Sequence, residues 1–223
     1  MKRTLTGILA TGILVFTACK KDDATTAIDK TNDGSFKVFT EEKITTVQNL
    51  IADTIIGLLP TGQPYGANKF TFFSIENAAL VASSDSATTK WDIAFKGTTI
   101  LTNAGTSGPG NGGAFVQTGT FDALTSISVD SAFRTDAAPV YAIRTGSGKG
   151  WYNYDGASNL ITALPGRVLV IKTASGKYAK LEITNYYKKG VTPAATATDD
   201  EKLHSQRYYA FRYTFQPNGT KNF

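Results

Sequence analysis

The chain has 223 residues, 41 % hydrophobic and 18 % charged, a balance that suits one β-rich domain with a buried core and excludes wholesale disorder. Its net charge is +5, falling to +3 without Lys2 and Arg3, with 21 basic against 18 acidic side chains. So small a surplus, with no basic cluster in a helix-turn-helix pattern, excludes a nucleic-acid partner.

The N-terminus "MKRTLTGILATGILVFTAC" has a basic start and an apolar run from Leu5 to Phe16, too short to span a membrane as a mature helix. It closes on small residues directly before Cys19, the only cysteine. This pattern predicts a bacterial lipoprotein signal peptide over residues 1–18, cleaved before Cys19, whose sulfur takes a diacylglycerol and anchors the chain in the outer membrane. A flexible polar tether is expected over residues 19–35, "CKKDDATTAIDKTNDGS". Its opening "CKKDD" resembles a charged tag that sends lipoproteins to the cell surface. With no second cysteine there are no disulfides, so stability must come from core packing.

Residues 36–223 read as one all-β domain. "EEKITTVQNLIADT" (41–54) is expected as a single early helix. Strands are expected at "KFTFFSI" (69–75), "KWDIAF" (90–95), "PVYAIRT" (139–145), "RVLVIKTA" (167–174), "KYAKLEIT" (177–184) and "RYYAFRYTF" (207–215), where β-branched and aromatic residues recur at period two. In the last, Tyr209, Phe211, Tyr213 and Phe215 share one face. Ala179, Leu181 and Ile183 likewise face away from Lys180 and Glu182. Ser175-Gly176 joins the two preceding strands in a tight hairpin. Punctuation by Gly, Asn, Asp and Pro points to a single antiparallel domain.

Motifs for catalysis are missing. Five glycines (Gly105, Gly108, Gly110, Gly112 and Gly113) follow "KWDIAFKGTTILTNA", but no Lys-Ser/Thr pair and no helix come after them, so a wide structural loop is expected rather than a phosphate cradle. No G-x-S-x-G elbow occurs, and His204, the only histidine, lies in the polar stretch "DDEKLHSQ" as a solvated residue. One His and one lipidated Cys do not furnish a zinc site. Asp199-Asp200-Glu201 reads as a solvated charge run and Trp91 as a core residue. An enzyme is not expected. What remains is an abundance of aromatics, ten Tyr, thirteen Phe and two Trp, with "GWYNYDG" (150–156) and "NYYKKG" (185–190) at strand ends. Such clusters suit a flat apolar ligand such as a porphyrin or a sugar ring.

"WDIAF" with the glycine loop, "GWYNYDGASNLITALPGRVLVIKTASGKYAKLEITNYYKKG" and "RYYAFRYTFQPNGT", in this order, resemble the HmuY-like family of haem-binding outer-membrane lipoproteins. The likeness covers roughly residues 45–223. It implies a hand-shaped all-β domain that holds haem between strand-end loops and passes it to a TonB-dependent receptor. It also implies two axial iron ligands, His pairs in some members and Met pairs in others, one near "ASNLI" and one in "NYY". Here those positions are Asn159 and Tyr186 or Tyr187. Met1 is the only methionine and His204 the only histidine, so no His pair, Met pair or His–Met pair can form within one mature chain. Tyrosine ligates ferric haem in catalase, so the pocket candidates are Tyr152, Tyr154, Asn159, Tyr186 and Tyr187. Tyr186 and Tyr187 are neighbours, so in a strand at most one is expected to point into a pocket. Two other readings stay open: a porphyrin or other flat ligand bound without iron ligation, and a non-haem module that binds a glycan or a partner protein.

Overall fold

The computed structural model describes residues 30–223; the signal peptide, Cys19 and the tether as far as residue 29 lie outside the described residues. The last tether residues are tied to the domain: Asn49 Nδ2 donates to Asn32 Oδ1 (2.7 Å) and to the Ser35 carbonyl (2.8 Å), while its Oδ1 accepts the Lys189 N–H (2.7 Å).

Strands β1 (Lys37–Glu41) and β2 (Ile44–Ile51) form the first hairpin, which corrects the helix expected over 41–54. Ile44-Thr45-Thr46-Val47 is a run of four β-branched residues, and Thr45, Val47 and Asn49 turn inward at period two. Next come the exposed hairpin β3 (Gly57–Leu58) and β4 (Pro64–Tyr65), and then β5 (Thr71–Ser74), β6 (Ala79–Val81), β7 (Ile93–Lys96) and β8 (Thr99–Thr102). The latter four make a sheet in the order β6-β5-β7-β8. After β9 (Gly113–Thr118) a long irregular connection leads to the hairpin β10 (Tyr152–Asp155) and β11 (Leu160–Ala163). The chain finishes with β12 (Arg167–Lys172), β13 (Tyr178–Tyr187), the helix α1 (Asp199–Ser205) and β14 (Gln206–Gln216). A six-stranded sheet runs β1-β2-β14-β13-β12-β9, and every strand pairing is antiparallel.

The core lies between the two larger sheets. Phe73 and Phe95 of the four-stranded sheet meet Tyr209, Phe211 and Tyr213 of β14, with ring centroids 4.8–6.2 Å apart. This is the face expected for β14, and Ala179, Leu181 and Ile183 join it from β13. The turn at Thr173–Gly176, with Gly176 at φ +91°, closes the hairpin expected there.

Three expectations need correction. The segment 139–145 is no strand: Pro139 has no N–H to donate, and the buried Asp136 carboxylate takes the Ala142 and Thr102 amides that a ladder would use. Lys180 is buried rather than outward, because its Nζ donates to the Phe121 and Leu124 carbonyls of the long connection (2.9 Å each). The stretch "DDEKLHSQ" is not a plain connection but contains α1, capped by Thr198, whose Oγ1 accepts the Glu201 N–H, with three carboxylates in its first turn.

Two buried polar side chains fasten the loops. Asp92, 2 % exposed, accepts from the Ile75 and Glu76 amides and the Ser74 hydroxyl through Oδ2, and from the Ala174 amide through Oδ1. Asn103 holds the glycine loop: its Nδ2 donates to the Thr88 and Trp91 carbonyls and its Oδ1 accepts the Gly110 N–H. A Cβ on Gly108 would come within 2.2 Å of that Oδ1, which is why this loop wants glycine. Trp91, its Nε1 donating to the Ser86 carbonyl, is fully buried as expected.

Replacing Asp92 with Ala leaves three backbone N–H groups without their acceptor, and is expected to lower unfolding free energy by about 3 kcal/mol or more. Urea denaturation measures this, with Asp85→Ala, which removes an exposed contact to Lys90, as a control expected to cost less than about 1 kcal/mol.

Candidate functional site

Three elements meet beside the end of the core. The first is the β3–β4 hairpin, whose turn is closed by the Gly62 N–H donating to the Leu59 carbonyl, with Gly62 at φ +80°. The second is the tip of β10–β11, where Asp155 accepts the Ala157 amide and the Ser158 hydroxyl, bonds that hold its carboxyl below the usual carboxylate range. Asn159 ends that turn at φ +55°, a conformation asparagine tolerates. The third is α1. Between them opens a cleft of about 420 Å³, within the range of small-molecule pockets.

Leu58, Pro64, Ile161 and Leu203 give the cleft apolar walls, and Tyr154, Asn159, Asp199, Lys202, Gln63 and Gln206 supply polar groups. The Tyr154 hydroxyl donates to Asn159 Oδ1 (2.8 Å), and Asn159 Nδ2 donates to Asp199 Oδ1 (3.3 Å), so a short chain of hydrogen bonds links the hairpin tip to the start of α1. Lys202 is almost wholly buried; its Nζ donates to the Ala195 carbonyl (2.8 Å) and keeps two further protons to offer.

The five sequence candidates divide. Tyr154 and Asn159 line the cleft. Tyr152, Tyr186 and Tyr187 are buried behind it with Trp151 and Tyr209. Tyr186 packs on Trp151 (5.5 Å), Tyr209 (5.1 Å) and Tyr187 (5.8 Å). The Tyr187 oxygen accepts the Ile161 N–H (2.9 Å), and the Tyr152 oxygen accepts the Gly146 N–H (3.1 Å). Tyr186 and Tyr187 do not take opposite sides of a regular strand: β13 slips register at Asn185 and Tyr187, and both rings enter the same core cluster. Burial pushes the phenols of Tyr186, Tyr187, Tyr209 and Tyr213 above the ordinary tyrosine range, outweighing the pull of Arg207 on Tyr186 and Tyr209. These groups stay protonated and are poor anionic donors.

His204 is well exposed on α1, its Nδ1 facing the Asp200 carbonyl (2.9 Å), and does not line the cleft. Sequence reasoning missed the hairpin wall from Leu58 to Pro64 and the contribution of Lys202 and Leu203. A signal for α1 was present, because Thr198-Asp199-Asp200-Glu201 fits the capping box. For the hairpin, the turn residues of "LPTGQPY" were visible but not the side it would cover.

The fold is of the antiparallel all-β class, with a cleft of small-molecule size beside the end of its core, and sequence comparison gives the family. The HmuY protein family matches residues 66–198, and the chain belongs to it. No curated protein matches the chain. Among solved structures, a proposed HmuY-like heme binding protein from Bacteroides vulgatus aligns with TM-score 0.51 at 16 % identity, over 81 % of this chain and 97 % of its own, which supports a shared fold. A proposed lipoprotein from Bacteroides fragilis aligns at TM-score 0.49 and 16 % identity over 84 % and 97 % of the two chains. The apo HmuY analog of Tannerella forsythia aligns at TM-score 0.43 and 18 % identity over 81 % and 99 %.

The buried phenols bind their protons more tightly folded than unfolded. Their stabilisation is therefore complete below the unfolded value of 10.0 and is lost as pH rises past it toward the folded values, about 12 for Tyr213. Denaturant midpoints are expected to fall steeply above about pH 10. Tyr209→Phe, which gives up the bond to the Gly97 carbonyl, should cost about 1 kcal/mol at neutral pH but flatten that alkaline slope.

Proposed function

We propose that the cleft binds haem and that Tyr154 provides the iron-facing oxygen, in a surface lipoprotein that captures haem and passes it to a TonB-dependent receptor. The observation that carries this reading is the Tyr154 hydroxyl standing in a cleft of about 420 Å³ with apolar walls, within a chain of the HmuY family. Neither His nor Met lines the cleft, so ligation by a His or Met pair does not fit. An oxygen donor does fit, since ferric haem accepts a tyrosine ligand in catalase. Tyr154 is also the only one of the four candidate tyrosines that is exposed at the cleft rather than buried.

Bound here, haem would bring a ferric iron that takes a hard oxygen ligand and two propionates that seek a cation. The chain's own residues meet these needs separately. Asn159 positions the unliganded Tyr154 phenol by accepting its hydrogen, and on ligation to iron that proton would leave to solvent and this bond would be given up. Lys202 supplies the only cation of the lining, and Leu58, Pro64, Ile161 and Leu203 exclude water from the ring faces. Tyr152, Tyr186 and Tyr187 act as the wall that holds β10–β11 in place. The remainder of the proposal, anchoring through a lipid on Cys19 and an outward-facing position on the outer membrane, rests on the signal sequence and on family membership.

Titrating haemin into the chain from Lys20 onward should give a saturable 1:1 Soret shift that weakens on reduction with dithionite, because a phenolate favours ferric iron. Tyr154→Phe should lose the shift, whereas Tyr186→Phe should keep it. A flat titration, or equal spectra for wild type and Tyr154→Phe, rejects the assignment. In cells, Cys19→Ala is expected to move the protein from the membrane to the aqueous fraction, read by immunoblot after fractionation.

A further inference from the structure

The outer face of the four-stranded sheet carries a second site. The inner face of that sheet builds the core, but Phe72, Leu101 and the buried Trp91 point the other way and form a small cluster of their own, flanked by Phe70 and Tyr141. Beside it lies an open groove of about 710 Å³. Its floor is Phe70, Phe72, Leu101 and Tyr141, and its wall is the glycine loop with Thr106 and Ser107.

The platform is rigid. Phe72 meets Trp91 edge to face at 5.0 Å, and Trp91 is locked by its bond to the Ser86 carbonyl. The wall is also fixed, because Gly105 and Gly108 sit so close to Asp136 and Asn103 that a Cβ would collide, at 1.9 and 2.2 Å. The loop thus offers mainly backbone and hydroxyl groups rather than long side chains. Thr106 Oγ1 accepts the Ala138 N–H (2.9 Å), which leaves its own hydrogen available to donate.

No Lys, Arg, Asp, Glu or His lines the groove. The nearest cation, Lys96, lies over the Phe70 ring (4.5 Å) and already donates to Asn68, so no charge is directed into the groove, and the open, hydroxyl-rimmed shape does not enclose a lipid chain. A pyranose has the matching chemistry: an apolar C–H face for aromatic rings, an uncharged edge of hydroxyls for Thr106, Ser107 and the loop backbone. From this we infer that the groove binds a neutral saccharide. The site shares no residue with the cleft of β3–β4, β10–β11 and α1 and stands independently of haem binding there.

The test is calorimetric titration of the purified protein with mannohexaose, cellohexaose, laminarihexaose and maltohexaose, with tryptophan fluorescence recorded in parallel. At least one should bind saturably and shift the emission of Trp91. Tyr141→Ala should weaken binding about tenfold, Tyr141→Phe should restore it, and Tyr154→Phe should leave it unchanged. Ser107→Trp, which fills the groove from the exposed loop, should abolish binding without altering the unfolding midpoint, and so serves if Tyr141→Ala fails to fold. Failure of all four sugars at millimolar concentration overturns the inference, as does binding indifferent to both Tyr141→Ala and Ser107→Trp. Concentration-dependent dimerisation broken by Ser107→Trp also overturns it and makes the face an interface between copies.

Discussion

The carboxylate of Asp92 is the fixed point of this fold. It satisfies amides at the turn after β5 and at the turn between β12 and β13, where Ala174 lies 82 residues along the chain from Asp92. The turn at Thr173–Gly176 closes through its own bonds from Gly176 to Thr173 and from Thr173 to Lys177, but these leave the Ala174 N–H over. Asp92 takes it together with the Ile75 and Glu76 amides, which would otherwise lose this acceptor. The neighbouring Trp91 and, a strand later, Asn103 use the same anchoring to wrap the glycine loop. A short stretch of sequence, "WDIAF" to "TNAG", therefore organises both ends of the four-stranded sheet. Tyr213 adds to the clamp, its hydroxyl donating to the Ile75 carbonyl.

From that clamp the division of the aromatics follows. Where β13 and β14 are held against the four-stranded sheet, Tyr186, Tyr187 and Tyr209 fill space under the β10–β11 hairpin. Their burial keeps them out of the cleft lining and keeps their hydroxyls protonated. Tyr154, two residues beyond the buried Tyr152, emerges at the cleft, nearly half exposed. One segment, "GWYNYDG", thus contributes core at Trp151 and Tyr152 and cleft lining at Tyr154. Neither His nor Met is among the polar groups that line the cleft, which are hydroxyls, amides, the Asp199 carboxylate and the Lys202 ammonium.

Period-two alternation and the Ser175-Gly176 turn made most strands legible, since β-branched and aromatic side chains on one face can be satisfied only by a sheet. Where local pattern and tertiary demand compete, the pattern misled. Residues 41–54 have apolar spacing that a helix also satisfies, and only pairing with β1 and β14 decides for a strand. Residues 139–145 look like a strand, yet Pro139 has no N–H to give and the buried Asp136 carboxylate claims the Ala142 amide. Lys180 reads as an outward residue because nothing local reveals that Phe121 and Leu124 will come over it.

By itself the sequence determined an all-β chain with a lipoprotein-type N-terminus, the family likeness, and the absence of any His or Met pair to hold an iron, because these follow from composition, periodicity and an inventory of side chains. Only the tertiary structure decided which tyrosine meets the cleft. Adjacent aromatics in one strand are chemically alike, and their access to ligand depends on a register slip in β13 and on hairpins brought from more than 90 residues away, such as Leu58 facing Tyr154.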